Sequence, residues 1–263
     1  MNRFASAFWV EMLKARRSKA PLLTAVAFTI VPVVGGLLMI ILKDPEAART
    51  MGLISQKSQL TVGTADWPAY FGVLQQSTAM GGTMLFAFVT AWVFGREFSD
   101  RTVKDILSLP TPRWAIIAAK FALTALWTLG LSLMAFLIGL AVGAAVDIPG
   151  WSPAVVSSGF ETLMRIALLN YMLMPFVALF ASAGRGYLPA LGWAVFSFVA
   201  AQIVSLLGWG DWLPWSVPVL LSGMFGPAGA EQVGAHSTIM VSLAFLAGAG
   251  ATLAWWQCVD HAR

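Results

Sequence analysis

The chain has 263 residues, of which 59% are hydrophobic and only 11% charged, with a mean hydropathy of +0.78. Soluble domains run at roughly 45–50% apolar and about 25% charged, so these figures exclude a water-soluble domain in favour of an integral membrane protein. The net charge of +4 fits that class without invoking nucleic acid, because basic residues beside membrane spans set topology. The single cysteine, Cys258, cannot form an internal disulfide, and no Cys/His spacing resembles a metal site.

In chain order, residues 2–19 predict an amphipathic helix lying in the membrane surface. Phe4, Ala5, Phe8, Trp9, Met12 and Leu13 gather on one side at helical spacing, and Arg3, Glu11, Lys14 and Arg17 on the other. The polar side is expected to meet lipid phosphates, with Phe4, Phe8, Glu11, Lys14 and Arg17 as the interfacial residues. Residues 21–42 are uncharged and long enough for a hydrocarbon core that needs about 20 helical residues. Pro32, Gly35 and Gly36 predict a kink there. The run is too long for a signal-peptide core and lacks a small-residue cleavage site, so it is read as a retained first span.

A polar loop, 43–68, leads to the second span, 69–95. Its outer half carries Gln75, Gln76, Ser77 and Thr78, then Gly81 and Gly82. In lipid such groups need helix partners or a water-filled path. After a charged island at 95–120 comes the third span, 116–146. The connection 147–158 holds Trp151, suited to the headgroup level. Glu161 and Arg165, four apart, are expected to pair where the fourth span, 163–182, begins. A tight turn at 184–187 precedes the fifth span, 188–207.

Residues 208–236 contain Trp209, Trp212 and Trp215 with Pro214 and Pro218. The apolar run 217–225 is too short to span, so a re-entrant or interfacial outer segment is expected. The sixth span, 237–257, closes the series. The fold class is therefore all-α: one polytopic domain, 1–263, with six transmembrane helices. Twelve basic residues fall on the N-terminal side (Arg3, Lys14, Arg16, Arg17, Lys19, Arg96, Arg101, Lys104, Arg113, Lys120, Arg185, Arg263) and four on the other (Lys43, Arg49, Lys57, Arg165). That bias puts both termini and the charged island in the cytoplasm of a cell inner or plasma membrane protein.

Within the island, Ser99 or Asp100 can cap a short helix, and Ile106, Leu107 and Leu109 give it apolar surface. Pro110 ends it. Thr111 can cap the next helix with Pro112 at its first position. A short capped helix joined rigidly to two spans would transmit a push from below.

The island GREFSDRTVKDILSLPTPRWAIIAAK resembles the first cytoplasmic segment of type-2 ABC transporter permeases. Glu97, Thr102, Val103, Lys104, Leu107, Ser108, Leu109, Pro110, Arg113 and Lys120 carry the match. The stretch EMLKARRS, 11–18, resembles the opening helix of that family, and WLPWSVP, 212–218, its proline-marked segment before the last span. The chain looks most like small permeases of lantibiotic and peptide-antibiotic self-protection exporters. The resemblance implies a coupling helix at 97–109 docking on a separate ATPase through Glu97, Asp100, Arg101, Lys104, Asp105, Leu107 and Leu109. It further implies two permeases, as a homo- or heterodimer, and two ATPases that bind ATP and Mg. No G-x-x-x-x-G-K-[ST] loop is present, so no cofactor is expected on this chain and no catalytic residue is assigned.

The function expected is the membrane-spanning subunit of an ATP-driven exporter for a peptide antibiotic, drug or lipid-like substrate. Gln75, Gln76, Asn170 and Gln202 are candidates for the substrate path. One alternative is an ion-coupled secondary transporter, which usually buries carboxylates near the midplane. The predicted spans have none there. The other is an intramembrane hydrolase using Ser157, Ser158 or Ser222 with His236, for which the sequence supplies no obvious orienting carboxylate.

Overall fold

The computed structural model describes residues 3–43, 64–103 and 111–258, and every regular element among them is a helix. Helix α1 (Arg3–Arg16) lies against α4 and turns at Arg17–Lys19 into α2 (Ala20–Lys43). Helix α3 runs Trp67–Ser99, α4 Arg113–Ala145, α5 Pro153–Ala183 and α6 Tyr187–Leu206. Two tight 3-10 turns and two short helices, α7 (Val217–Leu221) and α8 (Gly226–Glu231), precede α9 (Ala235–Cys258). Six helices, α2 to α6 and α9, are long and apolar enough to cross a membrane.

In their most apolar 18-residue stretch α3 and α5 are mostly buried, whereas the other four spans are buried over a third or less of theirs. Helix α5 packs on α3, α4, α6 and α9. Close approach depends on small residues, as is usual where lipid gives helices no hydrophobic reason to associate. A Cβ on Gly143 would stand 2.3 Å from the Trp67 ring, and one on Gly36 would stand 2.3 Å from Val142. Pro32 lies inside the continuous helix α2, and its carbonyl accepts the Tyr70 hydroxyl at 2.9 Å.

Helix α3 is one span with a π-turn at Thr78–Gly82. A π-turn widens the ladder and leaves backbone groups needing partners. Asn170 of α5 donates to the Thr78 carbonyl at 2.9 Å, and its Oδ1 lies 2.8 Å from the Thr83 hydroxyl, which also reaches the Ala79 carbonyl at 2.6 Å. Below it the helix continues to Ser99, so Glu97 belongs to its last turn and not to a separate coupling helix.

The chain leaves α3 through a Schellman ending. Arg101 takes φ 59°, Thr102 donates to the Glu97 carbonyl at 2.9 Å, and Arg101 to that of Phe98 at 3.3 Å. Asp100 therefore closes α3 and does not open a new helix. The remaining predicted coupling residues, Lys104, Asp105, Ile106, Leu107, Ser108 and Leu109, lie outside the described residues. Pro112, extended at ψ 140°, occupies the cap of α4 that Thr111 was expected to fill, and Arg113 is the first helical residue.

The fourth span starts ten residues earlier than its apolar core suggests. The Ser152 hydroxyl accepts from Val155 N at 3.2 Å and Pro153 takes the first turn; this signal outweighs the charges that follow. Glu161 and Arg165 are both exposed on this helix and form no ion pair among the described residues. The outer segment folds back on the bundle. Val217, Val219 and Leu220 are buried, with Val219 against Ala79 and Ile166, while Trp209 and Trp212 remain exposed.

Candidate functional site

Four charged side chains from three helices meet at the basic end. Lys120, two turns into α4, is fully buried and directs its ammonium to Glu97 Oε1 (2.6 Å), the Val93 carbonyl (2.8 Å) and Glu11 Oε2 (3.3 Å). An ammonium has three donors, so each proton has an acceptor. Lys14 bridges the two carboxylates from α1, reaching Glu11 Oε1 at 2.6 Å and Glu97 Oε1 at 3.0 Å. Two cations thus face two anions, and the cluster is neutral. The Lys120 ammonium also lies 5.8 Å from the Phe94 ring centre.

Burial alone would push the Glu11 carboxyl up, but the Lys120 and Lys14 charges outweigh it and hold its pKa below the usual carboxylate range. Burial likewise works against the Lys14 ammonium, yet Glu97 and Glu11 raise its pKa above that of a free lysine. Glu97 sits in the final turn of α3, where the helix dipole disfavours a negative charge. Its second oxygen, Oε2, is buried without a hydrogen-bond partner. Lys120 and Lys14 are its charge partners there, at 2.6 and 3.0 Å.

The turn below presents Asp100 and Arg101, both exposed. Arg96 accompanies them, bonded to Asp100 at 3.2 Å and lying over the Trp92 ring at 5.0 Å. On the far side of 104–110, Arg113 donates to the Trp256 carbonyl at 2.9 Å and the Gln257 carbonyl at 3.3 Å. It thereby satisfies the C-terminal carbonyls of α9. Both stems of the 104–110 segment are therefore anchored: α3 to α1 and α4 through the ion cluster, and α4 to α9 through Arg113.

This geometry changes the reading of α1. Phe4 and Phe8 stack at 6.1 Å, and Phe8 and Met12 pack on the core. Glu11 and Lys14 face the bundle rather than lipid, whereas Arg3, Arg16 and Arg17 face outward. Trp9 and Leu13, from the apolar side of the helical wheel, are exposed at the protein surface. Glu11, from the polar side, is buried by its ion pairs with Lys14 and Lys120.

Gln75 lines a cavity of about 410 Å³ between α3 and α5, with Phe71, Ser158, Gly159 and Thr162. Gln76 is half-buried beside it in sequence. Asn170 is committed to the π-turn. Gln202 lies on α6 with its amide nitrogen buried and unpartnered.

At the start of α9 His236 does have a carboxylate, since its Nε2 lies 3.0 Å from Asp211 Oδ2. Ser237 meets the same nitrogen at 3.2 Å. A nucleophile, base and orienting acid need both ring nitrogens, so this is not a hydrolytic triad. Ser157 and Ser222 donate to backbone carbonyls within their own helical turns.

The model of the family described as ABC-2 family transporter protein matches residues 7–201. The bacitracin transport permease protein BCRB of Bacillus licheniformis is 27% identical over 180 residues, covering 68% of this chain and 85% of that protein.

Proposed function

This chain belongs to the ABC-2 family of transporter proteins, a multi-pass membrane permease of the ABC exporter type, and from that premise we propose how it is driven. The basic end faces the cytoplasm, and the segment 97–109 receives the stroke of a separate ATPase. ATP and Mg are bound by that partner, in a complex of two permeases and two ATPases. The transported substrate is a peptide antibiotic, a reading supported by the relative whose name is bacitracin transport permease protein. The path runs between the two permeases, with the Gln75 cavity on its outer part.

The observation that carries this reading is the ion cluster of Glu11, Lys14, Glu97 and Lys120, which joins α1, α3 and α4 on either side of the 104–110 segment. A force applied between Ser99 and Arg113 meets two anchored stems, and so moves helices instead of a slack loop. Asp100 and Arg101 supply the exposed polar contacts beside it; Glu97 supplies the anchorage.

The test uses the chain co-purified with an ATPase encoded beside it, in proteoliposomes, with bacitracin as the probe. Glu97→Gln and Arg101→Glu should each lower transport per ATP hydrolysed by about tenfold, in line with a typical coupling free energy, while ATP hydrolysis itself persists. Unchanged coupling in both variants would sink the assignment of this end as the drive point.

A further inference from the structure

The elbow between α1 and α2 leaves a groove that the ion cluster does not use. It measures about 420 Å³ and is lined by Met12, Ala15, Arg16, Pro21, Leu126 and Trp127, among others. No acidic residue lines it. Arg16 lines it, Arg17 and Lys19 flank the lining residue Ser18 in the chain, and all three cations are exposed and form no ion pair among the described residues. Its walls towards the membrane are Leu22 and Leu126, 70% and 55% exposed.

A second apolar groove of about 360 Å³ lies farther along α2, lined by residues from Ala25 to Val34. Positions 22, 26, 29 and 33 fall on one helical stripe. From Leu22 to Val34 the helix rises about 18 Å at 1.5 Å per residue, close to half of a hydrocarbon core that is about 30 Å thick. A cationic mouth followed by an apolar track of one leaflet's depth is complementary to an amphiphile with an anionic head.

We propose that the α1–α2–α4 groove is a binding site for one anionic diacyl phospholipid of the leaflet in which α1 lies. Its phosphate is held by Arg16 with Arg17 and Lys19, and one acyl chain lies along the Leu22–Val34 face of α2. The occupant is not a second copy of this chain joined through the same face. A two-fold contact there would set two Arg16–Arg17–Lys19 clusters against each other. Zwitterionic lipid fits the track but leaves the three cations uncompensated. The site would stabilise the seating of α1, the element that also carries Glu11 and Lys14.

The experiment is native mass spectrometry and thermal unfolding of the full chain, delipidated in detergent and titrated with dioleoyl phosphatidylglycerol or dioleoyl phosphatidylcholine. Phosphatidylglycerol should be retained with one-to-one stoichiometry and raise the Tm more than phosphatidylcholine does. Arg16→Gln, at an exposed position, should weaken phosphatidylglycerol binding about fivefold, as expected for one basic residue at an anionic surface, and leave phosphatidylcholine binding unchanged. Leu126→Trp, which fills the groove, should abolish the one-to-one complex. Equal retention of the two lipids, or a preference that survives Arg16→Gln, would overturn the site. So would a loss of self-association in Leu126→Trp, which would make the groove a contact between chains.

Discussion

At the scale of single residues, Lys120 carries the most consequence. Its side chain is enclosed, and removing its charge would strand Glu97 and Glu11 with Lys14 alone. Breaking a buried ion network from one side costs about 3–5 kcal/mol, so Lys120→Met should lower the unfolding free energy by that order. Adding Glu97→Gln should recover part of the loss, read as a rise in Tm over the single variant. The titration of the cluster has a definite sign. The Glu11 pKa is held below its ordinary 4.5, so its stabilisation is complete above that value and lost as pH falls through the lowered pKa. The Lys14 pKa is raised above 10.5, so its share is complete below that value and lost as pH rises through the raised one. Thermal stability should therefore be level across neutral pH and fall at both limits. In Lys14→Met the fall on the alkaline side should shrink, and an unaltered alkaline limb would contradict Lys14 as its source.

At the scale of elements, the helix ends follow one plan with unequal chemistry. Helices α3, α4, α5 and α6 all close with a left-handed residue, which is Gly208 only after α6 and Arg101, Asp147 and Arg185 elsewhere. A non-glycine residue in that conformation is strained by roughly 1–2 kcal/mol. After α4, Lys43 caps the turn through the Val146 and Asp147 carbonyls at 2.9 and 2.6 Å, bonds that do not involve the Asp147 side chain. Asp147→Gly should therefore raise stability, by about 0.5–1 kcal/mol after the added unfolded-state entropy is subtracted, visible as an increased Tm. A decrease would mean that the Asp147 carboxylate has a role in the turn beyond its backbone.

At the scale of the whole molecule, the spans were legible because lipid demands long uncharged runs, and composition alone exposes those. The start of α5 was written in Ser152 and Pro153 but obscured by Glu161 and Arg165, two charges that stay exposed on an already formed helix. The ion cluster was not legible as a unit. Its members lie up to 109 positions apart, and helical spacing assigns Glu11 and Lys14 to a polar face without saying what that face meets. Asn170 read as a polar contact for substrate because nothing local announces the π-turn it serves. Orientation is tested most directly with the lone, exposed Cys258 at the end of α9. A membrane-impermeant maleimide should leave it unlabelled in intact cells and modify it after permeabilisation. Labelling of intact cells would invert the proposed topology.

The π-turn sets the phase of α3 along its length. One residue beyond the regular repeat turns a helix by about 100°, so the part of α3 above Thr78 and the part below Gly82 address different neighbours. Above, Trp67, Tyr70 and Phe71 enter an aromatic cluster with Phe136; below, Glu97 meets Lys120. An uninterrupted helix of the same sequence could seat one of these sets and would swing the other out of register. The extra residue is what lets a single rod be keyed at both ends, so rotation of α3 at the charged end is felt at the aromatic one as a fixed angular offset.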